Sequence, residues 1–333
     1  MVGTDCGDSM GNAFAWCLSI LAALACFASH AAQSEDAYPT KPVRLIVGFA
    51  AGGPTDFPAR YIADELGKRL AKRLVVQNKP GAGGILATRD ALAQPNDGYT
   101  LLLCTHFESI NTAVYRNPQY KLTDLAPISL ISKYFYGIGL SNSVPAADLE
   151  SFVAYAKSHP GAVSYGTIGR GSAQEIFAYQ LERLTGISMY RVPYRSGTQI
   201  EQDLIPGRVQ VYVSPMLSLI PLLESKHAKV LGVSSSERLS AAPQAPTLKE
   251  QGVDFVRFGW LGICVRAGTP QPIVDLLNRH ITGIVASPKY RAVAERAGSV
   301  PVSSTPAELR QVIDQTLADV LATVQEFGLQ QDP

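Results

Sequence analysis

A hydrophobic strand pattern that runs into a glycine-rich loop and straight on into an amphipathic helix occurs twice in this chain of 333 residues. The first unit reads Val43-Arg44-Leu45-Ile46-Val47 into Gly52-Gly53-Pro54-Thr55-Asp56. The second reads Ala162-Val163-Ser164-Tyr165 into Gly166-Thr167-Ile168-Gly169-Arg170-Gly171-Ser172. A helix N-terminus leaves backbone N–H groups without intrahelical partners and carries the positive end of the helix dipole, so each unit offers a seat to an anion. One unit in each half of the chain predicts a clamp for a molecule with two acceptor ends. The plainer alternative is that glycine serves only the tight turn between strand and helix.

Between and beyond these units strand and helix patterns alternate, which specifies an α/β fold. Strands are expected at 43–49, 74–77 and 99–104, with helices at 59–70 and 85–93. In the first helix Ile62, Ala63, Leu66 and Leu70 repeat at helical spacing and mark a core-facing stripe. A second set begins near Gly139, with helices at 148–158, 173–184 and 198–204 and strands at 162–165, 188–192, 209–213 and 228–233. A strand at 260–265 then returns the chain to the first set, followed by helices at 272–286, 288–297 and 306–326, each opened by a proline that a first helical turn tolerates. Near-continuous apolar strands predict mostly parallel sheets with helices on both faces. Edges near residues 140 and 260 predict two lobes joined by two crossing segments.

Composition narrows the role. With 46% hydrophobic residues the chain can bury a large core, and 29 basic against 28 acidic residues, dispersed along the sequence, leave no electrostatic footprint for nucleic acid. Residues 13–28 form an apolar stretch followed by Ser29-His30-Ala31, which reads as a secretory signal cleaved near Ala31, although Asp5 and Asp8 stand where a basic flank is usual. A lipid anchor on Cys26 is the lesser alternative. Export to the periplasm is therefore expected. Cys6, Cys17 and Cys26 would leave with the signal, and Cys104 and Cys264, both in apolar strand patterns, are expected as buried thiols rather than a disulfide.

Catalytic signatures are missing: there is no nucleophile elbow, no H-E-x-x-H, no phosphate-loop lysine motif and no C-x-x-C. Neither glycine loop has the G-x-G-x-x-G spacing of a dinucleotide site. His159, His227 and His280 are scattered without metal-ligand spacing, and only His106, placed after a strand end, is a candidate contact. Thr105-x-x-Glu108 and Ser172-x-x-Glu175 match the capping box, in which hydroxyl and carboxylate satisfy the donors of a helix start. The alternative puts either glutamate in the cleft, where it would repel an anion and welcome an ammonium or amide group. An enzyme built on Glu175, Glu108 and His106 would need those side chains to converge.

Longer motifs point further: Tyr38-Pro39-x-Lys41-Pro42-Val43, Phe49-Ala50-Ala51-Gly52-Gly53-x-Thr55-Asp56, Asn78-Lys79-Pro80-Gly81-Ala82-Gly83-Gly84, Asp97-Gly98-Tyr99, Gly169-x-Gly171-Ser172, Val192-Pro193-Tyr194 and Ala267-Gly268-Thr269-Pro270. In this order they resemble the Bug (TctC-like) extracytoplasmic solute receptors of tripartite tricarboxylate transporters. The resemblance implies a monomeric two-lobed periplasmic binding protein of the Venus flytrap type (type II) without cofactor, a small carboxylate ligand, and large and small permease subunits as membrane partners. With it the chain divides into a signal at 1–31, a first lobe at 38–139 and 263–333, and a second at 140–262. It also implies that positions 49–56 and 168–173 grip a carboxylate, so Phe49, Gly52, Gly53, Pro54, Thr55, Asp56, Ile168, Gly169, Gly171, Ser172 and Ala173 are expected at the ligand. Phe49, His106, Tyr194 and Ser214 are expected to set its length and polarity, and Thr105 and Glu175 are further expected contacts. Departures from the family pattern fall at Glu175, in place of a frequent His, at Ser214, in place of an acid or amide, and at Ile85, His106, Glu108 and Ser196-Gly197, and they weaken the inference that the ligand is a dicarboxylate. An orphan receptor feeding a sensor is a further alternative.

Overall fold

The computed structural model describes residues 38–53 and 55–331, so the expected signal with Cys6, Cys17 and Cys26, and the site position Pro54, lie outside the described residues. Strand β1 (Val43–Val47) pairs in parallel with β2 (Leu74–Asn78) on one side and β3 (Thr100–Thr105) on the other. Helix α1 (Asp56–Arg69) turns Ile62, Ala63 and Leu66 inward, as their spacing requires. Helices α2 (Ile85–Leu92) and α3 (His106–Val114) follow β2 and β3.

The element that organises the rest is β4 (Leu125–Ser141), a strand of 17 residues. Its first part pairs antiparallel with β9 (Phe258–Arg266) as far as Phe135↔Phe258, and from Tyr136 onward it pairs antiparallel with β7 (Val211–Pro215). Strand β8 (Ala228–Val233) also lies along that second part, and the short β10 (Val300–Pro301) along the first. Beyond β7 come β5 (Ser164–Thr167) and β6 (Tyr190–Pro193), parallel to one another. The path is β2-β1-β3-β9-β4-β7-β5-β6. Parallel pairing thus holds at both ends of the sheet, whereas β4 and β9 are antiparallel to their neighbours. The reason is connectivity: the chain enters the second group of strands along β4 and comes back along β9, so the two must run in opposite directions.

Helices α4 (Leu149–Ser158), α5 (Ala173–Thr185), α6 (Gly197–Leu204) and α7 (Met216–Glu224) accompany the second group. The approach of α7 to β4 depends on missing side chains: a Cβ on Gly137 would lie 2.5 Å from the sulfur of Met216, and one on Gly139 2.8 Å from Leu219. After β9 come α8 (Gln271–Val285), α9 (Pro288–Arg296) and α10 (Pro306–Glu326). One core gathers Ile46, Leu102, Trp260, Leu309 and Ile313; another gathers Phe152, Tyr165, Ile176, Val320 and Val324. Helix α10 therefore serves both, and α3 sends Ile110, Ala113 and Val114 into the second.

The two cysteines correct the sequence expectation, because Cys104 and Cys264 form a disulfide with their Cα atoms 5.8 Å apart. Leu102 stands opposite Cys264 and Cys104 opposite Gly262 on neighbouring antiparallel strands, which puts both sulfurs on one face of the sheet. The partners are 160 residues apart in sequence, and only the β3–β9 register brings them together.

Candidate functional site

Both glycine loops are closed by the same device. In the first, Gly52 adopts a positive φ of 77° and donates its N–H to Asp56 Oδ2 at 2.9 Å. Arg60 Nε meets the same oxygen at 2.7 Å, and Asn78 Nδ2 bridges Asp56 Oδ1 at 2.9 Å and the Phe49 carbonyl at 3.0 Å. Burial pushes the Asp56 carboxyl up, but the Arg60, Gly52 and Asn78 hydrogen bonds together outweigh it and hold the group below its usual range. In the second loop Gly171, at φ 73°, donates its N–H to Glu175, again a carboxylate four residues on, and Arg191 Nη1 stands 3.3 Å from the other oxygen. Glu175 is fully buried, which raises its pKa, while the Gly171 N–H and the two nearby arginines act against that rise. Each helix start thus already holds an internal carboxylate backed by arginine.

The capping expectations are met in full at one site and in part at the other. Thr105 and Glu108 form the box: the Thr105 N–H donates to Glu108 Oε2 at 2.6 Å, and Thr105 Oγ1 accepts from the Phe107 N–H at 3.1 Å. Glu108 Oε1 accepts from the Thr88 hydroxyl at 3.0 Å, and burial pushes its pKa up to about 7. Ser172 caps α5 by accepting from the Glu175 N–H at 3.3 Å, and its Oγ lies 2.8 Å from the Thr167 hydroxyl. The Glu175 carboxylate reaches the Gly171 N–H instead of that of Ser172, one residue beyond the box pattern. An acid–base reading of Glu108 has to compete with this cap.

Helix α3 stands between the loops. At its start His106 packs on Phe107 with ring centroids 4.3 Å apart, and Phe107 meets Phe49 of the first loop at 5.4 Å. Asn111 Nδ2 donates to the Gly83 carbonyl at 2.9 Å, tying in the loop at 81–84. At its far end Val114 lies so close under Gly171 that a Cβ there would come within 2.6 Å. His106 is buried, with its ring nitrogens 3.3 Å from the hydroxyls of Tyr134 and Tyr136, and burial lowers its pKa to about 3, so the ring is neutral.

The remaining predicted residues divide by environment. Gly53 closes the first turn by accepting from the Asp56 N–H, and Gly169, at φ 139°, accepts from the Ser172 N–H. Ala173 is fully buried, whereas Ile168 stays 41% exposed beside it. The Tyr194 hydroxyl donates to Asp203 Oδ2 at 3.0 Å. Thr55 Oγ1 and Ser214 Oγ are buried without a hydrogen-bond partner, and so is Gln174 Oε1, which follows the second loop and which sequence reasoning passed over. Buried polar atoms left unpaired cost about 1–3 kcal/mol each, and the Tyr212 side chain stands against both Ser214 and Gln174. Arg191 and Asn78 were likewise missed as loop supports. They come from β6 and the end of β2, and no local spacing links them to the carboxylates they hold.

A cavity of about 1010 Å³ lies between α10 and the start of β9, and of the predicted residues only His106 lines it. Among the described residues no group of His, Cys, Asp or Glu is arranged to hold a metal ion, and no helix is long and apolar enough to cross a membrane.

The family model described as "Tripartite tricarboxylate transporter family receptor" matches residues 58–329. Protein BugT of Bordetella pertussis is 30% identical over 299 residues, a stretch that covers 89% of this chain and 92% of BugT. Among solved structures, MatC from Rhodopseudomonas palustris with bound malate is 27% identical, with 86% of this chain and 100% of that chain covered and a TM-score of 0.72. A second R. palustris protein, solved with adipate, is 27% identical, with coverage of 88% and 99% and a TM-score of 0.75.

Proposed function

This chain belongs to the tripartite tricarboxylate transporter receptor family, and from that premise we propose that it captures a small organic acid between two lobes and delivers it to a permease of large and small membrane subunits. The lobes would comprise residues 38–139 with 263–333, and 140–262. The change of partners on β4 between Phe135 and Tyr136 supports that division. The disulfide supports a periplasmic location, since such bonds persist in oxidising compartments. The malate and adipate held by the two R. palustris relatives support a carboxylate as the ligand.

The observation that carries the reading is the pair of loops, each a glycine turn at a helix N-terminus locked by a buried carboxylate, with α3 in contact with both. Locking the backbone in advance lowers the ordering cost of binding. Hydrogen bonds to a charged group contribute about 1.5–3 kcal/mol each, so three to five of them, less the cost of association, support a dissociation constant of about 1 μM. Closure follows only if the ligand touches both lobes, because a conformational equilibrium shifts by differential affinity alone.

A thermal-shift screen of malate, adipate, other mono- and dicarboxylates and amino acids, followed by calorimetry of the hits, tests the proposal. Gly53→Val and Thr55→Trp should abolish binding of the hit while the protein still melts cooperatively. Unchanged affinity in both variants would refute the loop assignment.

A further inference from the structure

We propose that residues Gly328–Gln331 form a strap that holds the second glycine loop in its gripping conformation, with Gln331 as the positioning residue. The proposal deepens the receptor reading and rests on it, since that loop is taken as one half of the grip.

Helix α10 delivers the strap. Gly328 adopts a positive φ of 60°, and the Leu329 N–H donates to the Val324 carbonyl at 3.0 Å, the bond that closes a Schellman cap. Leu329 is buried and joins Val324 in the second core, which fixes the direction the chain takes next. Gln331 is then laid along the end of α3: its N–H donates to the Val114 carbonyl at 2.9 Å, and its carbonyl accepts from the Arg116 N–H at 3.1 Å. From that anchored backbone the side chain crosses to the loop, where Nε2 donates to the Arg170 carbonyl at 2.7 Å. Arg170 answers from the loop side, with Nη2 donating to the Gly328 carbonyl at 2.6 Å.

One peptide unit is thereby clamped from both sides. The group that joins Arg170 to Gly171 gives its carbonyl to Gln331 and its N–H to Glu175. In a planar trans peptide those two atoms point in opposite directions, so the pair of bonds fixes the plane. The loop needs this restraint, because Gly169 at φ 139° and Gly171 at φ 73° flank the unit, and glycine lets a peptide plane turn at little cost. Turning it over would carry the N–H away from Glu175 and re-aim the donors of the loop. The fit is close: a Cβ on Gly171 would lie 2.6 Å from Val114 and 2.9 Å from Gln331 Nε2. Since Phe107 of α3 also packs on Phe49 of the first loop, both loops take their positions from one helix. A loop held in advance costs less to order when ligand arrives.

Hydrogen–deuterium exchange of the ligand-free protein tests the strap. Gln331→Met keeps the length of the side chain and the backbone bonds to α3 but has no donor for Arg170. Exchange in a peptide spanning 168–175 should quicken about two- to tenfold, the range that one hydrogen bond supports. Peptides from β1 should exchange as in wild type, and the melting temperature should stay within about 3 °C. Gln330→Met, the same change at the exposed neighbour, should have no effect. With adipate as the calorimetric probe, Gln331→Met should weaken binding by a factor similar to the change in exchange. Equal exchange in wild type and Gln331→Met overturns the proposal. So does quickened exchange with adipate affinity unchanged, which would make the segment a structural clasp alone. Should wild type bind no adipate, the exchange result by itself decides the strap, and the failure falls on the carboxylate reading.

Discussion

Two buried side chains in the first turn of α3 give the protein opposing pH dependences. Burial raises Glu108 from 4.5 to about 7, so the folded state favours its neutral form, and this contribution is complete at low pH and lost as pH rises from 4.5 through 7. His106 is lowered from 6.5 to about 3, so its contribution is present above 6.5 and lost as pH falls towards 3. Glu108→Gln keeps an acceptor for the Thr105 N–H but removes the charge. Wild type should therefore lose stability relative to this variant as pH rises between 4.5 and 7, by on the order of 3 kcal/mol in denaturant titrations. A pH-independent difference would contradict the burial argument. Gly171 gives a second test at this scale. Its positive φ costs a non-glycine residue about 1–2 kcal/mol, and the contact with Val114 adds to that. Gly171→Ala should lower the melting temperature, and Val114→Ala in the same chain should recover the steric part of the loss. Absence of any rescue would mean that the backbone, together with the Gln331 amide 2.9 Å from such a Cβ, governs the position.

Among the elements, β3 and β9 are the pair whose joining was least legible. Each cysteine sits in a strand pattern that says buried, and nothing local says paired, because register between strands 160 residues apart is a property of the assembled sheet. Replacing both with alanine should reduce unfolding free energy by about 2–4 kcal/mol, mainly by freeing the unfolded chain. Equal stability of the oxidised wild type and the double variant would count against that account. Strand β4 escaped sequence reading for a different reason. Pro127, two shifts of register and a change of partners at Phe135 and Tyr136 interrupt the alternation that would announce a single long strand. Helix α10, by contrast, was expected at 306–326 and occupies Pro306–Glu326, because Thr305 and Glu308 cap it and its proline sits in the first turn. Its apolar residues gave no sign that they would be shared between two cores.

For the whole molecule, the clamp proposal requires ligand to draw the two strand groups together. Small-angle scattering should show a smaller radius of gyration at saturating ligand, and Thr55→Trp should abolish the change. Binding without compaction would leave a receptor that does not close. Most of the strands and helices, the glycine turns and the capping residues were determined by the sequence itself, because each depends on contacts within a few residues; β4, α3 and α7 were not among the expected elements. The family was legible for the same reason, since its motifs are short and consecutive. Tertiary structure alone decided that Asn78 and Arg191 support the loop carboxylates, that His106 is sealed against two tyrosines, and that Cys104 meets Cys264. Those pairings join distant segments through sheet register and helix packing, and no periodicity along a chain encodes which distant partner a buried polar atom will meet.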